Sequence, residues 1–318
     1  MNTNNILFSI IIPHYNLGQK IIKLLNSLAT EIDDSFEVII VDDKSSQTYL
    51  KEVHEVITKF NSLNIQIVKN ESFKKGAGVC RNIGMDHAKG KWYIFADSDD
   101  HFLPNSGKII RDSVNTNADL ILFQPTSTDE FGEICDRHKT FLKGFSEFYD
   151  TGSDLILRYQ FPVVWSKIFR ASVVKKYSIC FDDVLASNDV MFSTKFGYHA
   201  TEILVSNHSI YSWDFNTGSI TSTVSKARFE DIKQVLINHN NFIREKLTDT
   251  EYKSVRNSAV KTFLMAMTRY KFGLTYSIKT FVDLILKGFI PIRHDEIQWN
   301  LVRRFFKNNQ LYKRARAK

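Results

Sequence analysis

Short apolar runs that alternate with stretches of helical spacing constrain this chain more than any other feature. Residues 8–12, 36–41, 65–68, 92–96 and 120–123 read as strands, and 17–29, 49–60, 78–88 and 107–114 as the helices between them. Strands separated by helices predict a doubly wound, mostly parallel α/β sheet. The runs at 8–12 and 38–41 are almost continuously apolar, which suits strands buried on both faces. After about Phe131 the alternation weakens, and residues 216–225 are rich in Gly, Ser and Thr. Helical spacing returns over 227–290, with Phe229, Ile232, Val235 and Leu236, then Val260, Phe263, Leu264 and Met267.

Composition narrows the class. An apolar content of 43% with 25 Phe in 318 residues is enough for a sizeable core. Cys80, Cys135 and Cys180 are widely spaced, fit neither a disulfide framework nor a zinc site, and are expected to be buried thiols. Residues 1–5 are polar and uncharged and 6–12 is only strand-length, so no signal peptide is expected there. The most apolar stretch, 272–292, is broken by Lys279, Asp283 and Lys287 and is not read as a membrane span. A cytoplasmic location follows as the expectation.

The net charge of +7 is concentrated at one end. Arg303, Arg304, Lys307, Lys313, Arg314, Arg316 and Lys318 occur in residues 301–318 without one acid, leaving 35 basic against 35 acidic residues elsewhere. Leu301, Val302, Phe305, Phe306, Leu311 and Tyr312 interleave with them, the pattern of a basic amphipathic segment suited to an anionic membrane surface. A solvated tail is the plain alternative. The neutral body argues against a nucleic-acid-binding protein.

Chemistry-bearing residues gather where the strands should end. Asp97-Ser98-Asp99-Asp100 follows the run 92–96, at the carboxyl edge where open α/β sheets bind ligands. Two carboxylates one residue apart can share a hard divalent cation with substrate phosphates. Pro13-His14-Tyr15-Asn16, Asp42-Asp43-Lys44-Ser45 and the segment from Lys75 to Asn82 belong to the same predicted edge. A strand-end carboxylate accepts hydrogen bonds from a base or a ribose, Arg81 offers a cationic fork to a diphosphate, and Gly76 and Gly78 permit close backbone approach at a helix start. The dinucleotide fingerprint and the P-loop are both absent, because Gly76, Gly78, Gly84 and Gly90 have the wrong spacing for either.

In the order and spacing of these blocks the chain resembles the family 2 glycosyltransferases of GT-A fold. The blocks are Ser9-Ile-Ile-Ile-Pro13-His-Tyr-Asn16, Val41-Asp-Asp-Lys-Ser45, Ala77-Gly-Val-Cys-Arg81-Asn82-Ile-Gly84 and Tyr93-Ile-Phe-Ala-Asp97-Ser-Asp-Asp100. The resemblance implies a nucleotide site drawn from Pro13, Tyr15, Asn16, Asp42, Asp43, Arg81, Asp97 and Ser98. It also implies Mn²⁺ or Mg²⁺ held by Asp97 and Asp99. The segment Ala186-Ser-Asn-Asp189-Val-Met-Phe192 is similar to the family's base-bearing helix start, which makes Asp189 the candidate base. The similar segment from Trp165 to Phe169 brings Trp165 and Lys167 to the acceptor side, with Trp213 near the loop 218–221. Two positions depart from the pattern: Lys44 stands where the family usually has Gly, and Asn188 where it usually has Glu. His14 is read as pocket wall.

A metal-dependent inverting transferase is the implied activity, moving a sugar from a nucleoside-diphosphate sugar, UDP foremost, to an oligosaccharide or lipid-linked saccharide. A place in bacterial surface-glycan synthesis, with the basic tail on the cytoplasmic face of the inner membrane, goes with it. The expected domains are a transferase domain at 1–225, split near 125 into nucleotide-binding and acceptor-binding halves, and a helical region at 226–318. Two other classes are kept: a nucleotidyltransferase, and an inactive glycan-binding or assembly partner.

Overall fold

The computed structural model describes residues 6–215 and 224–293. They divide into two compact units, one formed by the described residues up to 183 with 188–215, the other by 184–187 with 224–293. The expected loop 218–221 and basic tail 301–318 lie outside the described residues.

In the first unit β1 (Phe8–His14) leads through a 3₁₀ turn at Gly18–Ile21 into α1 (Ile22–Glu31). β2 (Phe36–Asp42), α2 (Gln47–Ile57), β3 (Ile65–Lys69), α3 (Ala77–His87) and β4 (Trp92–Phe95) complete the alternation. Then come β5 (His101–Phe102), α4 (Ser106–Ser113), β6 (Leu120–Leu122), β7 (Thr126–Thr128), α5 (Leu142–Thr151) and α6 (Leu155–Tyr159). β8 (Lys167–Arg170), α7 (Ala171–Lys176), α8 (Asn188–His199), β9 (Ile203–Val205) and β10 (Tyr211–Asp214) finish the unit.

Seven strands form the large sheet in the order β3-β2-β1-β4-β8-β6-β9. β1 runs parallel to β2 and β4, β2 to β3, and β6 to β9, whereas β8 is antiparallel to both neighbours. The doubly wound, mostly parallel sheet is thus present, and all of β2 and nearly all of β1 are buried, as continuous apolar strands require. Pairing of His14 with Asp42 fixes which residues leave the sheet together at the carboxyl edge. A second, three-stranded sheet, β5-β10-β7, is attached to the turn after β4. Phe95, Phe169, Phe181, Phe192 and Phe196 pack edge-on or stacked in the core.

The second unit is helical: α9 (Lys226–Lys246), α10 (Asp249–Val255), α11 (Ala259–Leu264), which continues as a π turn, and α12 (Leu274–Leu286). Local sequence dictates two of these starts. Ser225 caps α9 by accepting from the Arg228 N–H, and Thr248 with Glu251 forms a reciprocal capping box on α10. One expectation fails: Cys80 is buried, but Cys135 is only partly so and Cys180, just before Phe181, is exposed. No helix among the described residues is long and apolar enough to cross a membrane.

Candidate active site

The carboxyl ends of β1 and β2 form the first half of the site. Asp42 closes β2 with Oδ1 3.4 Å from His14 Nδ1 and Oδ2 accepting from the Ser45 N–H at 3.2 Å. Burial pushes the Asp42 carboxyl up, but the bonds from His14 and Ser45 outweigh it and hold the group below the usual carboxylate range. Asp43 accepts from Asn70 Nδ2 at 2.7 Å and from the Gly76 N–H at 2.8 Å. Gly76 has φ of +122°, a conformation only glycine takes easily, and it opens α3. The backbone N–H of Asn16 donates to Ser45 Oγ, and its side-chain oxygen accepts from the Ser46 N–H, both at 2.9 Å, tying the two loops together.

Lys44 has φ of +62°, the left-handed region, which gives a physical reason for glycine at this place and costs a lysine about 1 kcal/mol. Its ammonium reaches the Ser72 carbonyl. Tyr15 is exposed at the rim with Lys75 Nζ 4.9 Å from its ring centre. His14 is fully buried, and its Nε2 has no hydrogen-bond partner.

The mouth of β4 supplies the second half. Ser98 Oγ donates to the Pro13 carbonyl at 2.8 Å, linking it to β1. Asp97 and Asp99 are partly exposed, while Ser98 and Asp100 are buried. From α3 the buried Arg81 sends NH2 to Asp97 Oδ1 at 2.6 Å and NH1 to Asn188 Oδ1 at 2.8 Å, while its Nε has no partner. A Cβ at position 78 would stand 2.5 Å from the Asp182 carbonyl oxygen, so Gly78 is what lets α3 meet the start of α8. Asp189 sits in the first turn of α8, half-buried. Burial raises its pKa; Arg81 pulls it down, Asp97 pushes it up, and the net shift is upward.

Behind these acids lies a buried frame that sequence reasoning missed. Tyr211 of β10 donates its hydroxyl proton to Asp100 Oδ2 at 2.9 Å and accepts from the Asp97 N–H at 2.8 Å. The Asp214 N–H donates to Asp100 Oδ1, also at 2.8 Å. The Asp214 carboxylate meets Lys23, His101, Thr128 and Ser212. Burial works against its charge, but the bonds from His101, Lys23 and Thr128 prevail and hold it far below the carboxylate range. A buried strand residue bearing a polar tip, as in Tyr211-Ser-Trp-Asp214, is the only signal the sequence offers for this frame.

Two of the three expected acceptor residues, Trp165 and Trp213, form an aromatic row with Tyr211 of that frame. Trp165 is buried, stacked on Tyr211 at 5.6 Å, and 6.1 Å from Trp213. The Arg137 guanidinium lies 3.5 Å from the ring centre of Trp213, which is partly exposed. Lys167 is fully buried, donates to the Phe161 carbonyl, and its pKa is pushed by burial down to about 7 against the pull of Asp189.

The donor set suits a hard cation of limited protein ligation. Asp97 and Asp99 offer carboxylate oxygens at one strand end, and no group of three or more metal-ligating side chains occurs among the described residues. Further oxygens would have to come from a diphosphate and water, the usual arrangement for Mg²⁺ and Mn²⁺.

The family model described as "Glycosyl transferase family 2" matches residues 9–178, more than half of the chain. The chain belongs to this family. Among its relatives is the poly(ribitol-phosphate) beta-N-acetylglucosaminyltransferase TarS of Staphylococcus aureus, 29% identical over 212 residues, which are 64% of this chain and 35% of that protein. The chain thus spans about a third of the length of that relative. The uncharacterized glycosyltransferase YibD of Escherichia coli is 28% identical over 235 residues, 70% of this chain and 64% of YibD. The crystal structure of S. aureus TarS 1–349 with UDP-GlcNAc superimposes with a TM-score of 0.64 at 23% identity, covering 86% of this chain and 81% of that one. The mannosyltransferase PcManGT of Pyrobaculum calidifontis, with GDP-Man and Mn²⁺, gives 0.57 at 14% identity over 99% of this chain and 87% of its own. The family 2 chain therefore has the GT-A fold that its sequence blocks imply.

Proposed function

We propose that this chain is a metal-dependent inverting glycosyltransferase that moves a sugar from a nucleoside-diphosphate sugar to a saccharide hydroxyl. The carrying observation is the Arg81 guanidinium spanning Asp97 and Asn188, which gathers the strand-end acids, the helix cation and Asp189 into one site. Asp189 takes the proton of the acceptor hydroxyl as its oxygen attacks the anomeric carbon. The bond from that carbon to the diphosphate breaks, and the nucleoside diphosphate leaves with the electron pair, so one displacement inverts the centre. Arg81 faces the leaving diphosphate, and Asp97 with Asp99 would hold Mn²⁺ or Mg²⁺, whose charge offsets that of the leaving group. Pro13, Tyr15, Asn16, Asp42, Asp43 and Ser98 would frame the nucleoside.

UDP is the proposed nucleotide, supported by the TarS structures with UDP and UDP-GlcNAc. A surface-glycan acceptor, free or lipid-linked, is supported by the poly(ribitol-phosphate) acceptor in the name of TarS. Trp165 and Lys167, both buried, serve the acceptor side from behind, and the partly exposed Trp213 lines it. Residues 1–225 form the transferase domain in this proposal, with its two halves meeting near 125, and 226–318 an added helical region whose tail at 301–318 docks on an anionic membrane at the cytoplasmic face.

Nucleotide release from UDP-, GDP-, CMP- and dTDP-sugars tests the proposal, with metal and with chelator. Metal-dependent UDP release is expected, lost in Asp99→Ala, with Asp189→Asn retaining donor binding while turnover falls at least about 100-fold. Pyrophosphate among the products would identify a nucleotidyltransferase instead. Nucleotide binding absent under every condition would leave the inactive partner protein.

A further inference from the structure

Helix α12 occupies the most apolar stretch of the chain, and the transferase site makes no use of it. One side is anchored: Leu284 is buried with Ile237, Ala259 and Phe289, and Phe281 and Ile285 pack against that cluster. The other side carries Leu274, Ile278, Val282 and Leu286, exposed to 58, 48, 49 and 81%. Residues four apart on a helix drift by only about 40° per step, so these four make one stripe along the whole element. A water-facing stripe ordinarily carries polar side chains, and a contiguous apolar one marks a docking surface.

Charge selects the occupant. Exposed Lys271, Lys279 and Lys287 flank the stripe, and the helix contains a single acid, Asp283, which is only partly exposed. A second copy docked through this face would bring like charges together, and the chain's own segment 301–318, with seven basic residues and no acid, would do the same. An anionic lipid surface neutralises those lysines while its acyl boundary takes up the apolar side chains.

We infer that α12 is an interfacial helix that lies in the surface of an anionic bilayer with Leu274, Ile278, Val282 and Leu286 turned into the lipid. Docking through α12 does not depend on the transferase chemistry, so vesicle binding and turnover fail separately. It adds a second contact to the proposed tail.

Co-sedimentation of the full chain with phosphatidylcholine vesicles, with and without phosphatidylglycerol, tests it. The double substitution Ile278→Ser with Val282→Ser is expected to weaken partition onto the anionic vesicles at least ~10-fold, the equivalent of ~1.4 kcal/mol, with circular dichroism and turnover unchanged. Lys279→Glu with Lys287→Glu should weaken binding only where phosphatidylglycerol is present, by roughly fivefold per lysine. Wild-type partition in both double variants overturns the inference. So does loss of binding only when the chain is ended at Gln298, which would leave the tail as the sole contact. A change in oligomeric state in the serine variant at unchanged partition would assign the face to a second copy.

Discussion

The loops after β2 and β4 both carry adjacent or alternate acids at the same edge of the large sheet, yet their carboxylates meet different surroundings. All four carboxylate oxygens of Asp42 and Asp43 face donors from His14, Ser45, Asn70 and Gly76. Asp100 is likewise filled, by Tyr211 and the Asp214 N–H. Asp97 and Asp99 are the partly exposed members, and the Asp97 carboxylate is met by Arg81, a side chain that a diphosphate would also attract. The acids with buried oxygens form a frame, and in the proposed function the two partly exposed ones at the mouth serve the chemistry. A frame acid therefore acts on function through the shape of its loop, and a mouth acid through its charge.

Asp97→Asn should have the largest effect on activity and a small one on stability. The amide still accepts from Arg81 but lacks the charge a cation needs, so kcat/KM is expected to fall at least ~1,000-fold, about 4 kcal/mol of transition-state stabilisation. Its unfolding midpoint should stay near wild type. Turnover close to wild type would abolish the distinction between mouth and frame.

Asp43→Ala is the opposite case. It takes one of the two acceptors from the Asn70 amide, which keeps its bond to the Lys74 carbonyl, and strands the Gly76 N–H at the start of α3; a buried donor left unpaired costs about 1–3 kcal/mol. Denaturant unfolding should report that loss, with the donor KM raised more than kcat is lowered, because a loosened loop still leaves Asp97 and Asp189 in place. An unfolding curve identical to wild type would mean that the β2 loop is not a preformed frame.

The difference between frame and mouth also explains what the sequence displayed. β1, β2, β4 and the helices between them were legible because each is a long apolar or periodic run, and Asp97, Asp99 and Arg81 stood out through spacing. The second sheet was not: β7 reads Thr-Ser-Thr, β10 reads Tyr-Ser-Trp-Asp, and β5 is two residues long. Short, half-polar strands carry no periodicity, and their stability comes from partners far along the chain. Tyr211 meets Asp97 across 114 residues, and Arg81 meets Asn188 across 107. The family likeness of the segment from Trp165 to Phe169 put Lys167 on the acceptor side but carried no sign of its burial, which follows from β8 running between β4 and β6.

That buried lysine makes the last and smallest prediction, because it is a frame residue whose charge is not matched by a bonded carboxylate. Its ammonium donates to the Phe161 carbonyl and lies 4.8 Å from the Phe161 ring centre, with Asp189 acting on it only through space. Burial lowers its pKa from the ordinary 10.5 to about 7. Between those two values the unfolded chain binds the proton that the folded chain has released, so this group makes stability rise with pH across that window. Below about 7 both states are protonated and the cost of the buried charge is constant. Lys167→Met removes the titration, so its stability advantage over wild type should be greatest at the acid end of the window and shrink towards pH 10.5. The same substitution takes away a positive charge that helps keep Asp189 ionised, so the acid limb of the turnover profile should move to higher pH. A stability difference that stayed constant with pH, together with an unmoved acid limb, would show that Lys167 is neutral throughout and only fills space.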